Sequence, residues 1–149
     1  MLIEAFGPNS IAIEAGSPSW EQALGLVVGL LEADSRVTAD YLTEVLGANQ
    51  KLGPYFVIAP GIALAHAAPS VAVLQTGFAL LRLDQPVFSG SHNDPVRLLF
   101  AFCAVDSSSH IELLGEFART MSEPEKVNLL LNASDVTQIR NLFGTGLVK

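Results

Sequence analysis

Residues 53–69 read GPYFVIAPGIALAHAAP, an almost wholly apolar stretch that delivers one histidine, His66, between two alanines. Residues 55–59 are short, apolar and rich in β-branched and aromatic types, which predicts a buried strand. Pro60 and Gly61 break it. Residues 62–65 form a second brief apolar piece that carries His66 to a strand end. Helix is disfavoured just before Pro69, so the chain leaves as a loop. Strand ends are where α/β proteins expose reactive groups. Imidazole is a nucleophile near neutral pH and can accept a phosphoryl group without a separate base. Spacing alone leaves the alternative open: a satisfied, buried structural histidine.

The composition sets limits around this stretch. The chain has 149 residues, half of them hydrophobic and 15% charged, with a formal net charge of −7. That predicts one domain over residues 1–149 with one sizeable core, not a disordered chain. No run is rich in Lys and Arg, so a nucleic-acid partner is not expected. A basic protein partner suits the charge. No apolar run reaches the roughly 18 residues of a membrane span. Residues 1–10 show no basic segment followed by an apolar core, so no secretory signal is expected. The single cysteine, Cys103, sits in an apolar run, which excludes an internal disulfide and fits a reducing cytoplasm.

Outward from the central stretch, residues 11–14 alternate as a short first strand. Ser17 and Pro18 read as a cap and first helical position, followed by a buried face of Trp20, Ala23, Leu24, Val27, Val28 and Leu31. Asp34 and Ser35 close that helix. A second helix is predicted from Thr38 to near Gly47, and residues 51–54 as a turn. Residues 71–74 and 76–83 read as strands, residues 84–86 as a turn, and residues 89–95 (SGSHNDP) as a surface loop. Residues 96–105 are the strongest central-strand candidate. Ser109 and Glu112 match a capping box, ahead of a face made by Ile111, Leu114, Phe117, Ala118 and Met121. Ser122 and Ser134 are the expected caps of two further helices, the last stopped at Gly144. Strands in mid-chain and helices at both ends predict an α/β helix–sheet–helix sandwich around a mixed central sheet.

Three histidines are candidates for chemistry: His66, His92 and His110. No HxxxH, HExxH or CxxC spacing gives a metal site, and no phosphate-binding glycine loop or GxSxG is present. His110 falls in the first turn of a predicted helix, where the dipole disfavours imidazolium and favours a nearby anion. There a neutral histidine can donate to a phosphoryl oxygen or orient another histidine; the plain alternative is a surface residue beside a cap. His92 lies in the polar loop and reads as a solvated side chain. Asp94 is expected to shape that loop. Cys103, in a strand, is expected to be inert.

Taken in order, GPYFVIAPGIALAHAAP, TGFALL and NDPVRLLFAFCAVDSSSH followed by a helix resemble the enzyme IIA component of the bacterial phosphoenolpyruvate-dependent sugar phosphotransferase system. The likeness is to the mannitol/fructose class, nearest its ascorbate-specific branch, and runs from about residue 20 to residue 143. It implies a cytoplasmic α/β sandwich that uses no cofactor. It also implies that His66 is phosphorylated by the histidine phosphocarrier protein and passes the group to a cysteine of the IIB component. His110 would lie beside it. For a phosphoryl group held there, the backbone N–H groups of Ala67 and Ala68, with Ser109, are the expected binding positions. The membrane enters indirectly, through the IIC component that moves the sugar. Two positions depart from the family pattern. Ala65 stands where a proline usually precedes the active histidine, and Ala68 where the ascorbate branch usually has arginine. Proline would fix the loop's approach and arginine would offset phosphoryl charge. The departures motivate a second reading, a regulatory IIA-like module with slow or no transfer. A third is an unrelated structural domain with a core histidine.

Overall fold

The computed structural model describes residues 2–145, without the side chains of residues 52–54 and 145. Met1 and residues 146–149, the ends of the expected domain, lie outside the described residues. Five strands form one sheet: β1 (Phe6–Glu14), β2 (Val57–Ala59), β3 (Ile62–Ala65), β4 (Gly77–Val87) and β5 (Val96–Cys103). Their order is β1-β4-β5-β3-β2. β1 with β4 and β3 with β5 run parallel; β4 with β5 and β2 with β3 run antiparallel, so the sheet is mixed as the short connections require. Pro60 and Gly61 turn β2 into β3, and Gly61 takes the positive φ of 77° that a side chain would resist.

Alternation along the strands builds two cores. Ala63, Ala65, Ala79, Leu81, Leu99 and Ala101 face one side, against the buried stripe of α1 (Trp20–Ala33) and Tyr41 and Val45 of α2 (Asp40–Leu52). Ile62, Leu64, Phe78, Leu80, Phe100 and Phe102 face the other, under α3 (Ser107–Met121), α4 (Pro124–Asn132) and α5 (Val136–Thr145). The expected sandwich is therefore present, and each fully buried Phe contributes on the order of 2–3 kcal/mol through apolar area removed from water.

Several element boundaries differ from the sequence reading. β1 begins at Phe6 rather than Ile11, because a register shift between those residues absorbs the Gly-Pro-Asn-Ser interruption. Asp34 anchors that bulge by accepting from Asn9 N (3.0 Å) and from Ser10 Oγ. Helix α2 continues past Gly47 to Leu52, and residues 53–56 form a 3-10 turn. One glycine costs a helix roughly 1 kcal/mol, less than the packing of Tyr41 and Val45 returns. Residues 71–74 add no strand to the sheet; Val73 bridges Val37 alone, while Thr38 N donates to Ala72 O at 2.8 Å. β4 runs through the expected turn at residues 84–86 to pair Val87 with Val96, its register shifting after Arg82 to accommodate Pro86. On α3 the buried residues are Leu113 and Phe117, while Ile111 and Ala118 are exposed. The caps also move: Ser19 with Gln22 on α1, Asp106 on α3, Glu123 at α4, and Asp135 Oδ1 accepting from Gln138 N at 2.8 Å on α5. Each site offers several polar residues in a row, and the one chosen is fixed by which face the helix must bury.

Candidate functional site

His66 follows Ala65 at the end of β3 and keeps the strand's alternation, so its side chain lies on the side of Ile62 and Leu64, the face that α3 covers. β5 runs parallel beside it and ends at the same edge. Asp106 then starts α3, which brings His110 over that edge. The two imidazole centroids are 5.9 Å apart at 66°. The ring of His66 also lies 5.6 Å from that of Phe56 and 5.5 Å from that of Phe102, and Phe102 lies 4.8 Å from His110. Both histidines are half-buried, so neither is sealed in the core.

The Nδ1 of His66 lies 3.0 Å from Leu64 O. A carbonyl only accepts, so Nδ1 carries the proton and donates; in the neutral ring Nε2 then holds the free lone pair. Burial, and then the neighbouring His66, hold the imidazole of His110 below the ordinary histidine value. Its Nδ1 is buried with no hydrogen-bond partner, an orphan that protonation would make more costly. His110 is therefore placed to act as a neutral ring, not as a fixed cation.

The remaining sequence candidates separate. The N–H of Ala67 donates to Tyr41 Oη of α2 at 3.0 Å, so this expected phosphoryl donor is already engaged. Ala68 is exposed and lines an open groove of about 740 Å³ with Gly47, Ala48, Lys51 and Pro69. Ser109 N donates to Asp106 Oδ1 at 2.8 Å, and Ser109 lines a different depression with Glu4, Thr76 and Glu112. The anion position at the start of α3 is thus filled by the protein's own Asp106. Hydrogen bonds from Ser109 hold that carboxyl below its usual range. His92 is exposed in the loop joining β4 to β5, at the opposite edge of the sheet from His66. Asp94 shapes that loop by accepting from Ser89 N and Gly90 N. Burial pushes the Cys103 thiol up to about 12, so it remains a thiol at neutral pH. Among the described residues no group of three or more His, Cys, Asp or Glu could hold a metal ion, and no helix is long and apolar enough to cross a membrane.

Sequence reasoning put Tyr41 on the second predicted helix and missed its hydroxyl. That group accepts from Ala67 N and donates to Phe102 O at 2.8 Å. The one available signal was a tyrosine, rather than a phenylalanine, at a core position. Five large apolar side chains in segments that flank the two histidines in sequence, Tyr55, Val71, Leu74, Val105 and Ile111, are exposed.

An acidic α/β sandwich with two imidazoles paired at one sheet edge, one of them with a free ring nitrogen, defines a class of protein that can carry a group on histidine. The chain belongs to the family described as phosphoenolpyruvate-dependent sugar phosphotransferase system, EIIA 2, whose match spans residues 4–145. It is similar to the mannitol-specific cryptic phosphotransferase enzyme IIA component of Escherichia coli (strain K12), 28% identical over 145 residues, covering 97% of this chain and 99% of the relative. It is 41% identical over 106 residues to the ascorbate-specific PTS system EIIA component of Salmonella typhimurium, covering 70% of this chain and 69% of the relative. A solution structure of the mannitol-specific cryptic enzyme IIA from Escherichia coli superposes with a TM-score of 0.89 at 28% identity, covering 98% of this chain and 100% of that one. The chain is thus an EIIA component of a sugar phosphotransferase system.

Proposed function

We propose that this chain is a cytoplasmic, single-domain phosphoryl carrier in which His66 Nε2 takes the group from the histidine phosphocarrier protein and passes it to the cysteine of a IIB component. One observation carries the reading: the Leu64 carbonyl holds the Nδ1 proton of His66, leaving Nε2 as the nucleophile 5.9 Å (ring to ring) from a second imidazole. The lone pair on Nε2 attacks phosphorus in line with the donor. The donor's P–N bond breaks and its electron pair returns to the donor imidazole. The Nδ1 proton stays on His66, and Leu64 O supports the positive charge that the phosphorylated ring acquires. His110 and the N–H of Ala68 are the donors for the phosphoryl oxygens, and the step needs neither metal nor nucleotide. In the onward step a IIB thiolate attacks phosphorus and Nε2 leaves with its electron pair. The exposed apolar side chains in the segments flanking the pair suit transient docking of successive partners. The ascorbate- and mannitol-specific relatives support an ascorbate-like or related sugar as the one this system carries.

Incubation with phosphoenolpyruvate and the two general proteins of the system tests this. Acid-labile phosphate is expected on the wild type and absent from His66→Ala. An unlabelled wild type overturns the transfer; label persisting in His66→Ala overturns the site. A regulatory module with slow transfer is the reading that Ala65 and Ala68 favour, together with Lys51 being the one cation lining the groove beside Ala68. It predicts labelling far slower than partner exchange, which a rapid-quench time course separates from carriage at working rate.

A further inference from the structure

The strand pairing around His66 stops one residue too early to hold the histidine by itself. β3 and β5 are in register up to Ala65 beside Ala101, and beyond that the chain leaves the sheet. β5 continues to Cys103, paired on its other side with Gly77 of β4. Past Ala65 the backbone of Ala67 therefore needs another group to tie it to Phe102. Tyr41 supplies it from the opposite face of the sheet. Its side chain is fully buried in the core beneath α2, and its hydroxyl reaches the gap. There Ala67 N donates to Tyr41 Oη at 3.0 Å and Tyr41 Oη donates to Phe102 O at 2.8 Å, with Ala67 O a longer second contact at 3.3 Å. The hydroxyl replaces a missing rung of the ladder. Burial raises the phenol above its ordinary value, so the proton stays available for donation.

We propose that Tyr41 is a positioning residue for phosphoryl transfer, its hydroxyl tying the loop of His66 to the end of the strand that leads into His110. The inference rests on the phosphoryl-carrier reading and adds a residue that touches neither phosphorus nor either imidazole. Without the oxygen, Ala67 N–H and Phe102 C=O face each other across an apolar gap, unpaired. The loop then relaxes, the Nδ1 contact of His66 with Leu64 O loosens, and Nε2 loses its fixed aim. A misplacement of about 1 Å at a reacting centre costs up to roughly a hundredfold in rate.

The experiment uses the full chain and Tyr41→Phe, which removes one oxygen and keeps the ring. Val45→Ala, buried on the same face of α2, is the control for lost stability alone. Rates of phosphoryl acceptance are measured at a temperature where circular dichroism shows all three folded. Tyr41→Phe is expected to lower kcat by about ten- to a hundredfold, with KM for the phosphoryl donor protein changed less than about twofold. Val45→Ala is expected to keep the wild-type rate. In parallel, the ring nitrogens of His66 are observed by NMR in the unphosphorylated proteins. The wild type is expected to hold one tautomer, protonated at Nδ1, and Tyr41→Phe to average between the two. Equal rates and an unchanged tautomer in Tyr41→Phe overturn the inference while leaving the carrier reading intact. A wild type that takes no phosphate overturns the carrier reading, and the tautomer comparison still decides whether Tyr41 aims the ring. Should Tyr41→Phe not fold, amide exchange at Ala67 in the wild type decides: slow exchange is expected, and exchange at the rate of an open loop contradicts the clamp.

Discussion

His66 owes its proposed role to one backbone atom. With Leu64 O holding the Nδ1 proton, the ring presents a single nucleophilic nitrogen. In the proposed carrier His110 is a neutral neighbour. Its pKa lies below the unfolded value of 6.5, first through burial and then through His66. Below that unfolded value the unfolded chain binds a proton that the folded one refuses, so stability falls as pH drops toward the folded value. His110→Gln removes that term. Its melting temperature is expected to fall less than the wild type's between about pH 7 and about pH 5; an equal or larger fall would contradict the assignment. Ala68 tests the missing charge support. Ala68→Arg, at an exposed position on the groove, is expected to speed labelling of His66 by about tenfold through charge-assisted hydrogen bonds, read by rapid quench. No gain would show that the site does not use a cation there. Both histidines were visible in the sequence as a strand-end and a helix-start residue. The tautomer, the engaged N–H of Ala67 and the Tyr41 hydroxyl were not, because each depends on atoms brought together from distant segments.

Helix α3 and strand β4 show what local pattern conveys and what it omits. The strand-to-helix passage into α3 is legible in AVDSSSH, yet four polar residues in a row leave the cap undecided. Asp106 takes that place because the buried pair Leu113 and Phe117 sets the rotation of the helix. Arg82 is a clearer omission. In an apolar strand its charge argues for exposure, but it is buried, with Nη1 donating to Leu130 O, Leu131 O and Ala133 O and Nη2 paired with Asp84 at 3.1 Å. It closes the C-terminal end of α4, whose last carbonyls lack helical partners. Arg82→Ala leaves those carbonyls and the carboxylate unmatched. It is expected to cost about 3 kcal/mol by chemical denaturation, without altering the tautomer of His66. A loss below about 1 kcal/mol would mean that water replaces the guanidinium.

At the scale of the molecule, the sheet is a partition with helices on both faces, and the site sits where the partition ends. The strand alternation that made the sandwich legible also explains the meeting of distant residues. His66 faces α3 on one side, while Ala67 faces Tyr41 on the other. The order of strands was not legible, because β3 pairs with β5 across an intervening segment that contains β4. Phe100, at the centre of the α3 face and 4.9 Å from the ring of Phe117, tests the shared core. Phe100→Ala is expected to cost about 3–5 kcal/mol, measured by denaturant unfolding; a cost under about 1 kcal/mol would contradict the packing described. The most direct measurement of the central claim is nitrogen-resolved NMR of the chain after phosphorylation by phosphoenolpyruvate and the general proteins of the system. One phosphohistidine is expected, at residue 66, with phosphorus on Nε2 and the proton on Nδ1. Phosphate on Nδ1 of His66, or on His110 instead, would contradict the account.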